Sequence, residues 1–226
     1  MISKTILVLG NIAMALGWFH VLLVYINYGW NGISSNDPLE SSLEVCEETL
    51  RPRIMMALGL STIELFTSLV GLTRSKPHQV LLFSSVRTGV EILAAPLLPC
   101  NAWQHLWTVL CWSVGDTVRF SCFAIDALLA PAATDSGNSS SSTSLAHMAK
   151  SIRYTVGPLL FPFGAGGEML MVIRAAIDGR PVLFLAASLW PAGFYPLMRQ
   201  LLKQRKRHFS KQPGGTGSVK PIKKSV

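Results

Sequence analysis

Apolar residues run in six long stretches, at 5–27, 54–73, 79–98, 103–129, 156–176 and 181–202, and polar residues gather between and after them. Each stretch is near the ~20 residues with which an α-helix crosses about 30 Å of hydrocarbon, so the pattern predicts an all-α integral membrane bundle of six transmembrane helices. The third and fourth stretches are separated only by the few residues around Pro99-Cys100-Asn101, which makes their boundary the softest. The run after Lys4 is longer than a signal-peptide core and lacks a small-x-small cleavage site, so it is expected as the first span.

Half of the residues are hydrophobic and the mean hydropathy is positive, which excludes an ordinary soluble domain. The net charge of +8 is unevenly spread. Between Tyr28 and Arg53 lie Asp37, Glu40, Glu44, Glu47 and Glu48 against two arginines, whereas Arg74, Lys76, Lys150, Arg153 and the tail from Lys203 to Lys224 fall on the opposite side of six alternating spans. Basic loops stay cytosolic, so both termini are expected there. Juxtamembrane Lys and Arg in the tail then act as a topology anchor facing anionic lipid, and no nucleic-acid partner is expected.

Residues 1–205 are expected as one membrane domain whose loop 131–150, with Asp135-Ser136-Gly137-Asn138 and a serine run, has the composition of a flexible linker. Residues 206–226 read as a disordered basic tail. It ends Lys223-Lys224-Ser225-Val226, resembling the dilysine signal that returns membrane proteins to the endoplasmic reticulum. Asn138-Ser139-Ser140 is a formal glycosylation acceptor on a loop that the charge count puts in the cytosol. Cys111 and Cys122 lie about three turns apart in the fourth stretch and read as packing residues; no metal site is expected. Cys46 and Cys100 fall in non-cytosolic loops, where a disulfide is permitted, but no pattern brings them together.

Glu64, Arg87, Glu91, Asp116, Arg119, Asp126 and Glu168 are all predicted at membrane depth, where an ionisable side chain must face the bundle interior. Arg87 and Glu91 are four apart and Asp116 and Arg119 three apart, so each pair can neutralise itself along one helical face. Seven charges exceed what helix packing demands and point to a polar cavity for a charged substrate. Tyr154, Phe161 and Glu168 recur every seven residues and share a helical face. Positions 161 and 168 are about 10 Å apart along the axis, close enough to cooperate around a substrate, whereas Tyr154 is about 21 Å from Glu168. Pro162 removes a backbone donor and is expected to kink the helix, and Gly164, Gly166 and Gly167 are expected to leave room for a chain-like ligand beside Glu168.

Arg153-Tyr154-Thr155, Phe161-Pro162-Phe163-Gly164 and Glu168 resemble the Arg-Tyr and Tyr-Pro-x-Gly-x-x-x-Glu signature of the very-long-chain 3-hydroxyacyl-CoA dehydratases, also called protein tyrosine phosphatase-like proteins. Trp112-Ser113-Val114-Gly115-Asp116-Thr117-Val118-Arg119-Phe120 is similar to the family's Trp-Ser-x-x-Glu-x-x-Arg-Tyr. Gly17-Trp18 fits its first helix, and Pro191-Ala192-Gly193-Phe194 through Gln204-Arg205-Lys206 its last helix and basic exit.

The resemblance implies a multi-pass enzyme of the endoplasmic reticulum membrane that needs no cofactor. It would remove water from a (3R)-3-hydroxyacyl-CoA to give the trans-2-enoyl-CoA in the fatty acid elongation cycle, beside the other elongation enzymes and membrane lipid. Carried over residue by residue, the family's catalytic glutamate is Glu168 and its tyrosine position is Phe161, which has no hydroxyl. Asp116 replaces a glutamate; Arg87, Arg119, Arg153 and Gly164 match. Arg119, Arg153 and Lys150 are candidates to meet the phosphates of coenzyme A. Tyr195, on the last span, is a candidate to enter the cavity in place of the lost hydroxyl. Losing a general acid or base costs roughly 10²–10⁴-fold, so Phe161 admits a second class of function, a noncatalytic member that holds acyl-CoA or contacts elongation proteins. Phosphatase chemistry is excluded on chemical grounds. In Thr67-Ser68-Leu69-Val70-Gly71-Leu72-Thr73-Arg74 a serine stands where the nucleophilic cysteine is needed, at a predicted helix end.

Overall fold

The computed structural model describes residues 2–34, 46–73, 76–100, 102–129 and 140–210. Within them the chain forms six long helices, one on each apolar stretch: α1 (Ile2–Ser34), α2 (Arg51–Leu69), α3 (Pro77–Gly89), α4 (Trp103–Leu129), α5 (Ser140–Asp178) and α6 (Leu183–Phe209). A π-helical turn, Cys46–Leu50, leads into α2, and α3 continues through a second, Val90–Ala94, into the 3₁₀ turn Ala95–Leu97. Three segments, Lys4–Asn27, Pro77–Leu97 and Ser144–Asp178, are long and apolar enough to cross a membrane. The acceptor Asn138, the loop 131–139 and the dilysine ending lie outside the described residues.

Local chemistry sets several ends. Pro77 occupies the first turn of α3, where its missing N–H costs nothing. Gly71, at φ +74°, closes α2 in a conformation that L side chains resist, while Leu72 N–H donates to Thr67 O at 2.8 Å. Helix α5 begins at Ser140, so the second half of the expected linker is its N-terminal end. It also runs on through Pro158 and Pro162. Helix α6 carries the start of the expected tail to Phe209.

Helix α4 is central, packing along both α1 and α5; α6 packs on α5, and α2 bridges α1 and α3. Met14, Trp18 and Val21 of α1 are buried, while Leu9, Leu16 and Leu23 on its other side are exposed. A helix apolar on both faces suits a lipid surround, with one face on the bundle and the other on acyl chains. Glycines let α1 and α2 approach closely, since a Cβ at Gly17 would stand 2.8 Å from Leu60 Cδ1.

Cys46 and Cys100 form a disulfide, Cα to Cα 5.8 Å, that ties the entry of α2 to the α3–α4 turn. Beside it lies a polar cluster: His105 bridges the Cys100 carbonyl (Nδ1, 3.0 Å) and the fully buried Glu91 carboxylate (Nε2, 3.3 Å), and Arg51 Nε approaches Glu91 at 3.7 Å. Closing a loop of this length stabilises by about 4 kcal/mol through the unfolded chain. Cys100→Ser is therefore expected to cost about 2–5 kcal/mol, read as a lower thermal midpoint in detergent; an unchanged midpoint would remove the bond from the stability account.

Candidate active site

Glu168 faces inward from α5 onto α4 and α3 and is only 7% exposed. Trp112 Nε1–H donates to its Oε1 at 2.5 Å, and Arg87 Nε lies 3.9 Å from the same oxygen. Arg87 pairs with Asp116, Asp116 lies 3.8 Å from Arg119 Nε, and Arg119 pairs with Glu64. A chain of five charges thus crosses the bundle: Glu168 on α5, Arg87 on α3, Asp116 and Arg119 on α4, Glu64 on α2. Alternating sign lets each member offset the burial of the next. The Arg87 and Arg119 Nε atoms are buried without a hydrogen-bond partner among the described residues.

The intrahelical pairing expected for Arg87 and Glu91 is not made. The π turn from Val90 breaks the i,i+4 register, and each residue finds a partner on another element, Arg87 on Asp116 and Glu91 on Arg51 and His105. The Asp116–Arg119 approach is present, with Glu64 as the nearer partner of Arg119. Arg87→Met is expected to cost about 3–5 kcal/mol, because Asp116 and Glu168 lose their shared cation, and Asp116→Asn in the same chain to recover part of it. Thermal unfolding of the single and double variants checks both.

Gly164 and Gly167 do not leave ligand space. A Cβ at Gly164 would meet Cys111 Cβ at 3.4 Å, and at Gly167 it would stand 2.4 Å from Thr108 Oγ1, so the small residues bring α4 against α5 and set Trp112 beside Glu168. Gly166 alone borders open space, an apolar hollow of about 190 Å³ between α5 and α6 that Pro162, Met169, Trp190 and Phe194 also line. A second hollow, about 230 Å³, lies between α4 and the first half of α5 beside Thr117, Cys122 and Met148.

Phe161 shares the Glu168 face of α5 and sits in an aromatic stack, parallel to Phe194 at 5.2 Å and edge-on to Phe83 at 5.7 Å. Neither Tyr154 nor Tyr195 supplies a hydroxyl there. Tyr154 packs on His208 at 5.0 Å, nearer the end of the bundle, and Tyr195 is 66% exposed on the outer face of α6, so the expected entry of Tyr195 into the cavity is corrected. At that same end Arg153 lies over Phe123 at 4.0 Å, Lys150 pairs with Asp126 at 3.4 Å, and Ser151 Oγ lies 3.0 Å from His208 Nε2. Burial, then the charges of His147 and Lys150, hold His208 below its ordinary pKa. Ser68 is buried in the last turn of α2.

Glu168, Arg87, Asp116 and Arg119, expected in one interior, are contiguous; Arg153 is near enough to Arg119 to feel its charge, and its guanidinium lies over Phe123. Sequence reasoning missed Trp112 as a partner of Glu168 and Glu64 as the end of the charge chain. The signals were present: Trp112 opens the segment that holds Asp116 and Arg119, and Glu64 is one of the seven charges expected at membrane depth.

Residues 59–211, well over half of the chain, match the family model described as "Protein tyrosine phosphatase-like protein, PTPLA". The chain is similar to the "Probable very-long-chain (3R)-3-hydroxyacyl-CoA dehydratase" of Schizosaccharomyces pombe, 22% identical over 160 residues that cover 66% of this chain and 69% of that protein. No solved structure matches the chain.

Proposed function

Because the chain belongs to the protein tyrosine phosphatase-like family, we propose that it is a dehydratase that converts a long-chain (3R)-3-hydroxyacyl-CoA to the trans-2-enoyl-CoA. The observation that carries the reading is Glu168, a buried carboxylate set by Trp112 and Arg87 inside an otherwise apolar bundle. In the reaction a C2–H bond and the C3–O bond break, the C2=C3 bond forms, and water leaves. Hydroxide departs readily only when protonated, and the C2 proton is weakly acidic, so one group must accept a proton and one must return it. Glu168 takes the C2 proton. With no hydroxyl on Phe161, the same carboxyl then delivers that proton to the departing C3 oxygen, which returns Glu168 to its starting state and balances the step without a cofactor.

Membrane placement follows from the same reading. We assign six spans with both termini cytosolic, in the endoplasmic reticulum, on the apolar stretches, the charge asymmetry and the Lys223-Lys224 ending. Arg119, Arg153 and Lys150, toward the cytosolic side, are assigned to the coenzyme A phosphates. Work beside other enzymes of the very-long-chain fatty acid elongation cycle is part of the proposal. The test is turnover of a long-chain (3R)-3-hydroxyacyl-CoA by purified protein in detergent, followed as appearance of the conjugated enoyl thioester. Binding of the substrate without turnover would sink the enzyme in favour of an acyl-CoA-binding or elongation-complex role. A reporter on the C-terminal tail found in the lumen would sink the topology.

A further inference from the structure

We propose that Trp112 is the positioning residue of this site: its indole N–H fixes Glu168 Oε1, so that the other carboxylate oxygen, Oε2, is the one that handles the proton. The inference rests on the dehydratase reading. A carboxyl that must both take and return a proton has to hold one orientation through two transfers, and a free glutamate side chain has several rotamers with two equivalent oxygens. The 2.5 Å bond from Trp112 Nε1 makes the oxygens inequivalent. No other hydrogen bond to the Glu168 carboxylate occurs among the described residues, which leaves Oε2 uncommitted. Arg87 approaches Oε1 as well, at 3.9 Å, and so reinforces the same choice.

Trp112 can serve because it is itself immobile. It is 1% exposed, meets Trp18 edge-on at 6.4 Å, and lies under the Arg87 guanidinium at 5.4 Å. Trp18 is in turn held by its own N–H, which donates to Ser61 Oγ at 3.1 Å. Gly167 supplies the last requirement, since a Cβ there would stand 2.4 Å from Thr108 Oγ1 and hold α4 off α5, beyond the reach of the indole. Three helices therefore converge on the orientation of one carboxylate: α1 through Trp18, α2 through Ser61, and α4 through Trp112.

The test is a double-mutant cycle between Trp112→Phe and Glu168→Gln, with kcat and KM measured separately in the native chain, or in Phe161→Tyr should only that variant turn over. Trp112→Phe keeps the ring and removes the donor, and is expected to lower kcat about 10- to 100-fold with KM unchanged. In the Glu168→Gln background it is expected to lower the residual rate no further. A raised KM with native kcat, or losses that simply multiply, would overturn the proposal. A second readout needs no activity: the ¹⁵N–¹H indole resonance of Trp112, identified by its disappearance in Trp112→Phe, is expected to move in Glu168→Gln, and an unmoved resonance would also overturn it. Silence of both native and Phe161→Tyr chains toward the hydroxyacyl-CoA removes the dehydratase reading and the positioning role with it, whereas turnover with an unmoved indole resonance removes the positioning role alone.

Discussion

Glu168→Gln is expected to reduce dehydration by about 10⁴-fold, the upper end of what one acid/base group contributes, because here one carboxyl performs both transfers. The substitution preserves shape, and the amide oxygen can still accept from Trp112. It also removes one negative charge from a chain that holds three carboxylates, Glu168, Asp116 and Glu64, against two guanidiniums, Arg87 and Arg119. After the change two face two. The thermal midpoint is therefore expected to hold or rise, so that a lost rate cannot be laid to unfolding. The measurement is initial velocity of enoyl thioester formation beside a melting curve in the same detergent. Near-native turnover in Glu168→Gln would transfer the chemistry to another residue and dissolve the site as described.

Each helix was legible in the sequence because the length of an apolar stretch is a local property, readable without knowing what the stretch packs against. The helix ends were not. Helix α5 starts at Ser140, well before the apolar stretch at 156, because its first half presents Leu145, Met148, Ala149 and Ile152 to the hollow beside α4 while His147, Lys150 and Ser151 interrupt them with polar groups. A hydropathy window averages that amphipathic face into a linker, and the serine run ahead of it strengthens the error.

Partnership inside the bundle was legible by residue but not by pair. Arg87, Asp116, Arg119 and Glu168 stood out because an ionisable group is costly at membrane depth. Which charge meets which depends on how four helices dock, and proximity along one helix gave the wrong partner for Arg87. Gly164 and Gly167 misled in the same way. A glycine announces only that something comes close, and α4 rather than a ligand fills the space. Trp112 stands in its motif with no visible task, since an indole in an apolar stretch is ordinary packing until a carboxylate is found 2.5 Å from its nitrogen.

Phe161→Tyr is expected to raise kcat by roughly 10²–10⁴-fold, by dividing between two groups the proton transfers that Glu168 now makes alone. The position favours the change. Phe161 lies on the Glu168 face of α5, about 10 Å away along the axis, a span that a tyrosine and a glutamate can close around the two reacting carbons of a substrate. The stack with Phe194 at 5.2 Å and the edge contact with Phe83 keep the ring plane set. Added to the native chain, the hydroxyl becomes the group that protonates the leaving oxygen while Glu168 takes the C2 proton, which returns to the tyrosine oxygen after water leaves. Glu168→Gln combined with Phe161→Tyr should accordingly lose most of the gain, and single-turnover rates for native, single and double variants measure it. A silent native chain beside an active Phe161→Tyr would mean that the fold keeps the site while the chain has left catalysis for binding. Equal rates in the two would mean that the hydroxyl does not reach the reacting oxygen, and the one-carboxyl mechanism would then be complete as it stands.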